Sequence, residues 1–527
     1  MLSLPSWLDF SLLTGVAGVL SVLYLAWTRY RMFLEQKKPF GDALPMPPNS
    51  HWLMGHVQLL SLDPKMDGDF RANFKHLMRD HCNEYGQTGF WIASKPTVCV
   101  TDYQDVRTVL NNTNDRKYSK TVLRHIDQFL GPRNIGRLNG KEWKLHRTSI
   151  LRGFAPAAVS EAQAGILKVT STFLASLKTL DEKKPIKRDI AVLMKMITMD
   201  VFGETSLSRD LGCCSKLLPS PLAIAFDYMS EELSRRLFSS PLSLDKQIYW
   251  FPTEQNIRHK RERKLVRDFL EDLIQERVSM PHDNRPRDLL TKLMQGVKDP
   301  NNNETDILPE SALSDVLMSL IFAGYDTTSI TLTYALYSIA TTPEVERRCL
   351  EEIERADSTD PDSLQYCKAV ILETLRLYPP GPAISRSNLD KPLTLKGGTV
   401  LPEGTFFYVP IWMIQRMEEH FERPNEFRPE RWARQDKNGV WKERSEEDTG
   451  EIIAPANRNA FFAFSAGSRS CPAMKFAVAE SVLVLSQLVK HLSFELLQPD
   501  YELCPVRVGI VQQPRDDMVM TIKFRGE

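Results

Sequence analysis

Residues 311–341, which two prolines bracket, limit the possible folds of this chain more than any other stretch. They are largely apolar on every side of a helix, and such a helix is stable only where the rest of the protein surrounds it. Apolar residues recur with the helical period through residues 166–277 as well. Alternating residues at 91–101 and on both sides of 514–517 predict strands and a hairpin. The sequence therefore predicts a mainly α protein with small β-sheets around one long buried helix.

The same stretch contains a polar segment, Ala323-Gly-Tyr-Asp-Thr-Thr328, that is unfavourable inside a helix. A glycine there costs about 1 kcal/mol relative to alanine, and threonine hydroxyls compete for backbone carbonyls. Residues that break local rules inside a core usually have a functional reason. A chance polar patch or a helix kink is the alternative interpretation. The segment supplies two candidate site residues, Asp326 and Thr327.

A second candidate site surrounds Cys471, which lies just before a predicted amphipathic helix. Pro472 suits the first position of that helix. The apolar residues of the helix recur at steps of four and three, at Val478, Val482, Leu485, Val489 and Leu492. The positive end of a helix lowers the pKa of a thiol, so we expect Cys471 to be a thiolate that can bind a metal. The alternative for a single cysteine is a small buried hydrophobe.

The kind of ligand that this site can bind is limited further by three residues that precede Cys471 in the chain. Gly467 lacks a Cβ, so its backbone can lie against a flat group. Arg469 offers a fixed cation to an acidic substituent, and Phe464 can shield the sulfur from water. A flat, acidic group held through a thiolate is the description of haem, so these residues predict a haem site.

The stretch from Phe464 to Ala473 matches the signature FxxGxRxC, and the polar segment of the long helix matches AGxDTT. On these motifs the chain resembles the cytochrome P-450 family of haem-thiolate monooxygenases. Glu373-Thr-Leu-Arg376 and Phe427-Arg-Pro-Glu-Arg-Trp432 resemble the family's ExxR and PERF elements, in the expected order. Two positions differ from the usual pattern, because Ala473 replaces a glycine and Trp432 replaces a phenylalanine.

The resemblance implies the cytochrome P-450 fold, with a helical haem domain around the central helix, and it implies a role for each site residue. The residues implied to bind haem are Cys471 as the iron ligand, with Arg469, Phe464, Gly467, Trp143, Arg147 and Arg386 around it. Thr327 and Asp326 are implied to supply and order protons during catalysis. A structural triad is implied for Glu373, Arg376 and Arg431, and a place in the substrate cavity for Ile510 and Val511.

Residues 1–38 are predicted to be a membrane anchor with a basic flank, because residues 10–27 form an uncharged, mostly apolar run just long enough to span hydrocarbon. Basic residues follow this run and none precedes it, so the positive-inside rule places the catalytic body in the cytoplasm. Prolines within residues 39–48 form a stiff hinge, and residues 39–527 are predicted to be one haem-thiolate monooxygenase domain. A cleaved signal peptide is the alternative, although the run lacks a preceding basic segment.

Eight cysteines without a CxxC pair indicate reduced thiols in a protein that faces the cytosol. The predicted location is the endoplasmic reticulum membrane, with a single pass and a cytoplasmic catalytic domain. The chain holds no flavin or nicotinamide motif, so the resemblance implies that a separate NADPH-cytochrome reductase supplies electrons. The predicted docking surface for this acidic partner consists of Lys141, Lys144, His146 and Arg152. The other expected partners are O2, the membrane and a lipophilic small molecule, but not nucleic acid, because basic and acidic residues are equal at 67 each.

The substrate is the least constrained part of the prediction. The segments Arg-Leu-Tyr-Pro-Pro and Phe-Ser-Ala-Gly-Ser-Arg resemble the branch that hydroxylates long-chain fatty acids, while sterols, terpenoids and xenobiotics stay open. Several animal members of that branch carry a glutamate that links covalently to haem. This chain has Ala323 there, so we expect haem to be bound without that link. Two other functions are a haem-thiolate isomerase or dehydratase and a non-catalytic haem-binding protein, and the pair of Asp326 and Thr327 counts against both.

Overall fold

The computed structural model describes residues 23, 24, 26, 27, 30, 40, 43–47, 78, 80–92, 95–112, 120–180, 186–238, 249–295, 297–298, 305–356, 359–388, 391–445, 456–508 and 511–526. In chain order the α-helices are α1 Tyr103–Asn112, α2 Lys120–Leu130, α3 Gly140–Gly153, α4 Pro156–Lys178, α5 Ile190–Phe202, α6 Cys213–Lys216, α7 Pro221–Phe238, α8 Glu254–Ser279, α9 Leu289–Met294, α10 Glu310–Thr341, α11 Pro343–Ala356, α12 Gln365–Leu377, α13 Ile411–Ile414 and α14 Met474–His491. The strands are β1 Gln87–Ile92, β2 Lys95–Val100, β3 Ile186–Asp189, β4 Val297–Lys298, β5 Thr305–Asp306, β6 Ile384–Ser387, β7 Leu393–Thr394, β8 Val400–Leu401, β9 Phe406–Val409, β10 Ala433–Gln435, β11 Trp441–Glu443, β12 Leu492–Leu496, β13 Pro505–Val508, β14 Val511–Pro514 and β15 Val519–Phe524. The prediction of a mainly helical protein with small sheets is confirmed.

The chain divides into two compact units. The first joins Met1–Val109 to Ser387–Val409, and the second joins Leu110–Arg386 to Pro410–Glu527. In the first unit β1 pairs antiparallel with β2, and β2 runs parallel to β9. This confirms the predicted strands at 91–101 and adds a partner that lies about 300 residues away in the sequence.

Helix α10, in the second unit, is the predicted central helix. It begins directly after Pro309 and ends just before Pro343. Its buried residues lie on all of its sides, because α5, α8, α12 and α14 pack around it. Because protein surrounds most of this helix, its sequence has no continuous polar face.

Helix α14 follows Cys471 and packs against α4, α10, α11 and α12. Its predicted apolar face is confirmed at Val482, Leu485 and Val489, which are buried. Its predicted first residue is wrong, because the helix begins at Met474 and Pro472 belongs to a preceding turn. The reason is the backbone of Ala473, whose φ of −99° and ψ of 15° are not helical.

The largest sheet of the second unit has the last strand of the chain in its middle. β15 pairs antiparallel with β12 on one side and with β3 on the other. β14 pairs with β13, so the two strands that flank residues 514–517 do not pair with each other. The predicted hairpin is therefore wrong in its pairing although its strands exist, because distant segments supply the partners.

Most of residues 1–38, the predicted membrane anchor with its apolar run at 10–27, lies outside the described residues, as do some positions of the hinge at 39–48. Within the part of the chain that the structure describes, no helix combines the length and the apolar character that crossing a bilayer requires. Residue 510, predicted to line the substrate cavity, also lies outside the described residues, and Val511 is buried in β14.

Candidate haem-binding and catalytic site

Cys471 lies at the end of a tightly folded loop. The N–H of Cys471 donates a hydrogen bond to the carbonyl of Phe464 at 2.8 Å, and the N–H of Ser465 donates to the carbonyl of Phe462 at 2.8 Å. Ser465 adopts a φ of 62°, and a single 3-10 turn follows at Gly467–Arg469. The backbone thus fixes the position of the thiol, which stays partly accessible. For Phe464 the visible contribution is this carbonyl, and shielding of the sulfur by its ring stays a prediction.

Gly467 is required by the protein's own backbone. Its φ is 70°, and a Cβ at this position would lie 2.4 Å from the carbonyl oxygen of Leu110. No other residue type fits at that distance without moving backbone. This close approach is to the carbonyl of Leu110, and the predicted approach of Gly467 to a flat ligand stays a prediction.

The expected thiolate at Cys471 is not favoured by the protein alone. Burial raises the pKa of the Cys471 thiol above its ordinary value, and this outweighs the lowering by the N–H of Ala473 and by the charge of Arg147. Desolvation of the sulfur, which the sequence pattern does not reveal, acts against the effect expected from the helix terminus. A bound metal cation would supply the missing positive charge, since metal binding displaces the thiol proton.

Two arginines from distant parts of the second unit bond to this loop, and a third, Arg469, lies within it. Arg469 donates to the carbonyl of Leu138 and to Oδ1 of Asn139, both at 2.8 Å. Arg147, on α3, donates to the carbonyl of Ser470 at 2.6 Å. Arg386 donates to Oγ of Ser465 at 3.1 Å. The structure therefore brings together the cations that the sequence assigned to one site.

Trp143 completes this arrangement, because its ring centroid lies 4.4 Å from the guanidinium carbon of Arg469. Trp143 and Arg147 are four residues apart and lie on one face of α3, as predicted.

His146, in contrast, is buried, and burial lowers its pKa. It cannot belong to the predicted docking surface, while Lys141, Lys144 and Arg152 are exposed. Sequence analysis missed Ser465 and Ser470, whose only signal was a polar residue beside the cysteine motif.

The polar segment of α10 presents an accessible face in an otherwise buried helix. Ala323 is exposed and Thr327 is half-buried, and the two lie one turn apart. The hydroxyl of Thr327 donates to the carbonyl of Ala323 at 2.5 Å. The helix is continuous through this segment. Thr327 thus carries its hydroxyl at the accessible face, and a rotation of its side chain would release that hydroxyl for another acceptor.

Asp326 points to a buried environment. It is 2% exposed, and Ser230 donates to its Oδ2 at 3.5 Å, while its Oδ1 has no hydrogen-bond partner. Burial raises the pKa of Asp326 to about 6, and the charge of Lys195 limits that rise. A carboxyl group with a pKa near neutrality can both take up and release a proton at physiological pH.

Glu373 is the centre of a buried hydrogen-bond network, on the side of the second unit that carries the Cys471 loop. Arg376 donates to both of its oxygens, at 2.8 and 2.9 Å, and Arg431 donates at 3.1 Å. The N–H of Arg428 and the indole N–H of Trp432 add further hydrogen bonds, each of 2.9 Å. Burial would raise the pKa of Glu373, but Arg376 and then Arg431 lower it below its usual value. The predicted triad has the geometry of a structural joint, and Trp432 contributes a donor that phenylalanine lacks.

These residues fit a haem group. Haem carries two carboxylates, and the three arginines at this loop provide bidentate donors for such groups. Its iron accepts a thiolate, and Cys471 is the partly accessible cysteine beside them. Among the described residues no cluster of three or more histidine, cysteine or acidic side chains is suited to hold a metal ion by itself. A single thiolate beside cations suits a metal ion that is already coordinated by a macrocycle.

Comparisons with known proteins agree with this chemistry. The family model described as Cytochrome P450 matches residues 45–520. Human cytochrome P450 4X1 is 24% identical over 482 aligned positions, which cover 88% of this chain and 87% of that protein. Human cytochrome P450 4V2 is 26% identical, with 98% and 95% covered, and rabbit (Oryctolagus cuniculus) cytochrome P450 3A6 is 26% identical, with 84% and 86% covered. The chain therefore belongs to the cytochrome P450 family and is a haem-thiolate monooxygenase.

Proposed function

We propose that this protein is a membrane-anchored monooxygenase that inserts one atom of O2 into a lipophilic substrate, with electrons from an NADPH-cytochrome reductase. The observation that carries the proposal is that Arg147 and Arg386 bond to the loop that contains Arg469 and the partly accessible Cys471. The accessible hydroxyl of Thr327 beside the buried carboxyl of Asp326 adds the means to move protons. Neither a carrier protein nor an isomerase needs this pair, so the pair supports oxygen chemistry.

In this mechanism Cys471 would hold the iron and the arginines the propionates of haem. When bound, haem supplies the binding and activation of oxygen. The residues of the chain deliver protons to the site and exclude bulk water from it. Asp326 takes up a proton at Oδ1, the oxygen that has no protein partner. The relay then continues through the hydroxyl oxygen Oγ1 of Thr327. The carboxyl group of Asp326 is itself 2% exposed, so bulk water does not surround it.

For the substrate we propose a long-chain fatty acid or a related lipid. The support is the resemblance of two sequence segments to the fatty-acid hydroxylase branch and the predicted membrane anchor, which favours lipophilic compounds. At Ala323 the chain has a methyl group in place of a carboxylate, and this residue lies on the accessible face of α10. We therefore propose that haem is held only through iron–sulfur ligation and non-covalent contacts, so that acid–acetone extraction removes it completely.

For the electron donor we propose docking on the exposed residues of α3. Lys141 and Lys144 face solvent on the same helix that presents Arg147 to the cysteine loop. An acidic reductase bound there would lie close to the site that needs electrons. Reversal of charge in Lys144→Glu should raise the KM for the reductase several-fold with little change in kcat, and the effect should shrink at high salt. Equal reductase kinetics in this variant and the parent would exclude α3 from the docking surface.

The first test of the proposed function is spectroscopic and is done on the full chain in membranes. The reduced protein with carbon monoxide should give the red-shifted Soret band of thiolate-ligated haem, and Cys471→Ser should lose it. Lipids added to the ferric protein should shift its spin state, and NADPH consumption with reductase should depend on the same lipids. Turnover of lipid hydroperoxides without NADPH would replace this proposal with the isomerase, and a histidine-type carbonyl spectrum would end it.

A further inference from the structure

Ser465, in the cysteine loop, has a backbone conformation that residues with a Cβ rarely adopt, since its φ is 62°. In the described part of the chain, the other residues that combine a positive φ with a side chain are Ser208, Leu217 and Arg423. A glycine would adopt this φ without strain. Strained conformations persist where the surroundings impose them and are frequent at functional sites, so the contacts of Ser465 should show the reason.

The backbone on one side of Ser465 is fixed by hydrogen bonds. The N–H of Ser465 donates to the carbonyl of Phe462 at 2.8 Å. The carbonyl of Phe464, which belongs to the same peptide group as that N–H, accepts from the N–H of Cys471 at 2.8 Å. Phe462 is itself held, because its N–H donates to Oε1 of Gln415 at 2.7 Å. Both polar groups of one peptide are therefore bonded, and the plane of that peptide, which sets the φ of Ser465, cannot turn without breaking a hydrogen bond.

The side chain of Ser465 contacts Arg386 in β6. Nη2 of Arg386 donates to Oγ of Ser465 at 3.1 Å, and Nη1 of the same guanidinium donates to the carbonyl of Ser385 at 2.9 Å. Arg386 is 2% exposed, whereas Ser465 is half-buried. The five N–H groups of a guanidinium lie in one plane, so bonds to two of its nitrogens fix the direction of all five. Ser465 thus contributes to the orientation of Arg386.

Two requirements meet at Ser465. The loop needs a turn that glycine would make more easily, and Arg386 needs an acceptor oxygen that glycine lacks. The backbone angles of a residue set the direction of its Cα–Cβ bond, so the strained φ also decides where the hydroxyl of Ser465 lies. The hydroxyl therefore accounts for a side chain at a position that the backbone alone would leave to glycine.

We propose that Ser465 is a positioning residue for haem binding, whose hydroxyl holds Arg386 in the orientation that binds an acidic substituent of haem. The inference rests on the role that the proposed function gives to Arg386. The same hydrogen bond joins the loop that carries the iron ligand, Cys471, to the strand that carries the cation. It therefore fixes two parts of the haem site relative to each other.

The test measures how fast haem leaves the haem-loaded full chain for an excess of apomyoglobin. Ser465→Ala and Ser465→Gly both lack the hydroxyl, but alanine keeps the strain at φ and glycine relieves it. Both variants should release haem about fivefold faster than the parent, which corresponds to the loss of one hydrogen bond. Parental release from Ser465→Ala would show that the hydroxyl has no such role, and parental release from Ser465→Gly would show that backbone strain alone matters.

Ser208→Gly is the matched control for this comparison. Ser208 also has a positive φ, of 53°, but its hydroxyl donates to Oδ2 of Asp288 at 2.8 Å. This variant should release haem at the parental rate, because it changes strain and a hydroxyl without changing the contact to Arg386. Faster release from Ser208→Gly, equal to that of the Ser465 variants, would mean that haem release reports general loosening of the protein and would overturn the proposal.

A double-mutant cycle shows whether Ser465 acts through Arg386. Arg386→Met alone should release haem more than about tenfold faster, since a charge-assisted contact is lost. Ser465→Ala added to Arg386→Met should then change the rate little. A further fivefold increase in the double variant would mean that Ser465 acts independently of Arg386, and it would overturn the proposal.

A second readout is the propionate bending band in the resonance Raman spectrum of the resting ferric protein, which needs no turnover. The band should shift in the same direction in Ser465→Ala and Arg386→Met and stay in place in Ser208→Gly. An unshifted band in Ser465→Ala would refute the positioning role. The two levels of the inference fail differently: parental haem release from Arg386→Met refutes the proposed role of Arg386 itself, whereas fast release from Arg386→Met with parental release from Ser465→Ala refutes only the role of Ser465.

Discussion

Asp326 is a carboxyl group in a position where burial opposes its charge. It is 2% exposed, and its pKa of about 6 is above the ordinary value for aspartate. The folded protein therefore holds the proton more tightly than the unfolded chain does. Ionisation of Asp326 reduces the free energy of unfolding as pH rises from the unfolded pKa towards the folded one, and the cost is complete above about pH 6.

The substitution Asp326→Asn should consequently stabilise the protein at neutral and alkaline pH while impairing product formation. We expect a gain on the order of 2 kcal/mol in unfolding free energy near pH 8, decreasing as the pH falls below about 6. Denaturant unfolding at several pH values measures it. Asp268→Asn, at an exposed position, is the control for the loss of a carboxylate at the surface. A constant difference between parent and Asp326→Asn across this range would contradict the assignment of the raised pKa.

The surroundings of Gly467 predict a large effect of one added methyl group. Gly467→Ala places a Cβ 2.4 Å from the carbonyl oxygen of Leu110 at a φ of 70°, so the cysteine loop must move. We expect loss of the thiolate carbonyl spectrum and a destabilisation of more than about 2 kcal/mol. Gly398→Ala is the matched control, because Gly398 has a φ of 81° but no atom within 4 Å of the added group. It should cost about 1 kcal/mol and keep the spectrum. Similar behaviour of the two variants would mean that strain at φ, not contact with Leu110, decides the outcome.

At the scale of elements, Glu373 joins α12 to the segment that leads towards the cysteine loop. Arg376 also donates to the carbonyls of Gln415, Pro424 and Glu426, so one guanidinium holds several parts of that segment. A buried ion pair is not in itself a large source of stability, but removal of one partner leaves an uncompensated charge. The joint therefore specifies how these elements fit together more than it adds to total stability.

Two substitutions at this joint should separate charge from packing. Glu373→Gln leaves Arg376 and Arg431 buried without a counter-ion and should cost about 3–5 kcal/mol, enough to prevent recovery of haem-loaded protein. Trp432→Phe keeps the aromatic ring but loses the indole N–H bonded to Glu373. It should cost about 1–2 kcal/mol and keep the carbonyl spectrum. Denaturant unfolding and haem content measure both, and a Trp432→Phe protein as stable as the parent would show that the indole N–H contributes nothing.

The sequence predicted those features that depend on local pattern. The apolar character of α10 between two prolines, the polar segment within it and the spacing of the cysteine motif all follow from residues close together in the chain. Features set by distant partners were missed. β15 pairs with β3 and β12 rather than with β14, and burial overrode the helix terminus in setting the pKa of Cys471. The hydrogen-bond network that joins Lys195, Asp227 and Tyr325 was missed for the same reason, because its members come from three helices.

At the scale of the whole molecule, the sequence assigns membrane attachment and catalysis to different parts of the chain. The match to the family begins at residue 45, after the predicted anchor and most of the hinge. The catalytic body should therefore form without residues 1–38. We expect that deletion of these residues moves the protein into the fraction released from membranes by alkaline carbonate, with its carbonyl spectrum unchanged. A truncated protein that resists carbonate as the parent does would place the anchor elsewhere.

The position of β15 has a consequence for biosynthesis. β3 is made early and ends at Asp189, whose side chain caps α5 by accepting from the N–H of Ala191. Among the described residues its neighbour in the sheet is β15, which the ribosome makes long after β3. β3 therefore gains this sheet partner only after β15 has been made, whereas α5 can pack against α10 before then. A premature stop that removes only β15 should produce a protein captured by chaperones and degraded, even though every residue of the catalytic site has been made.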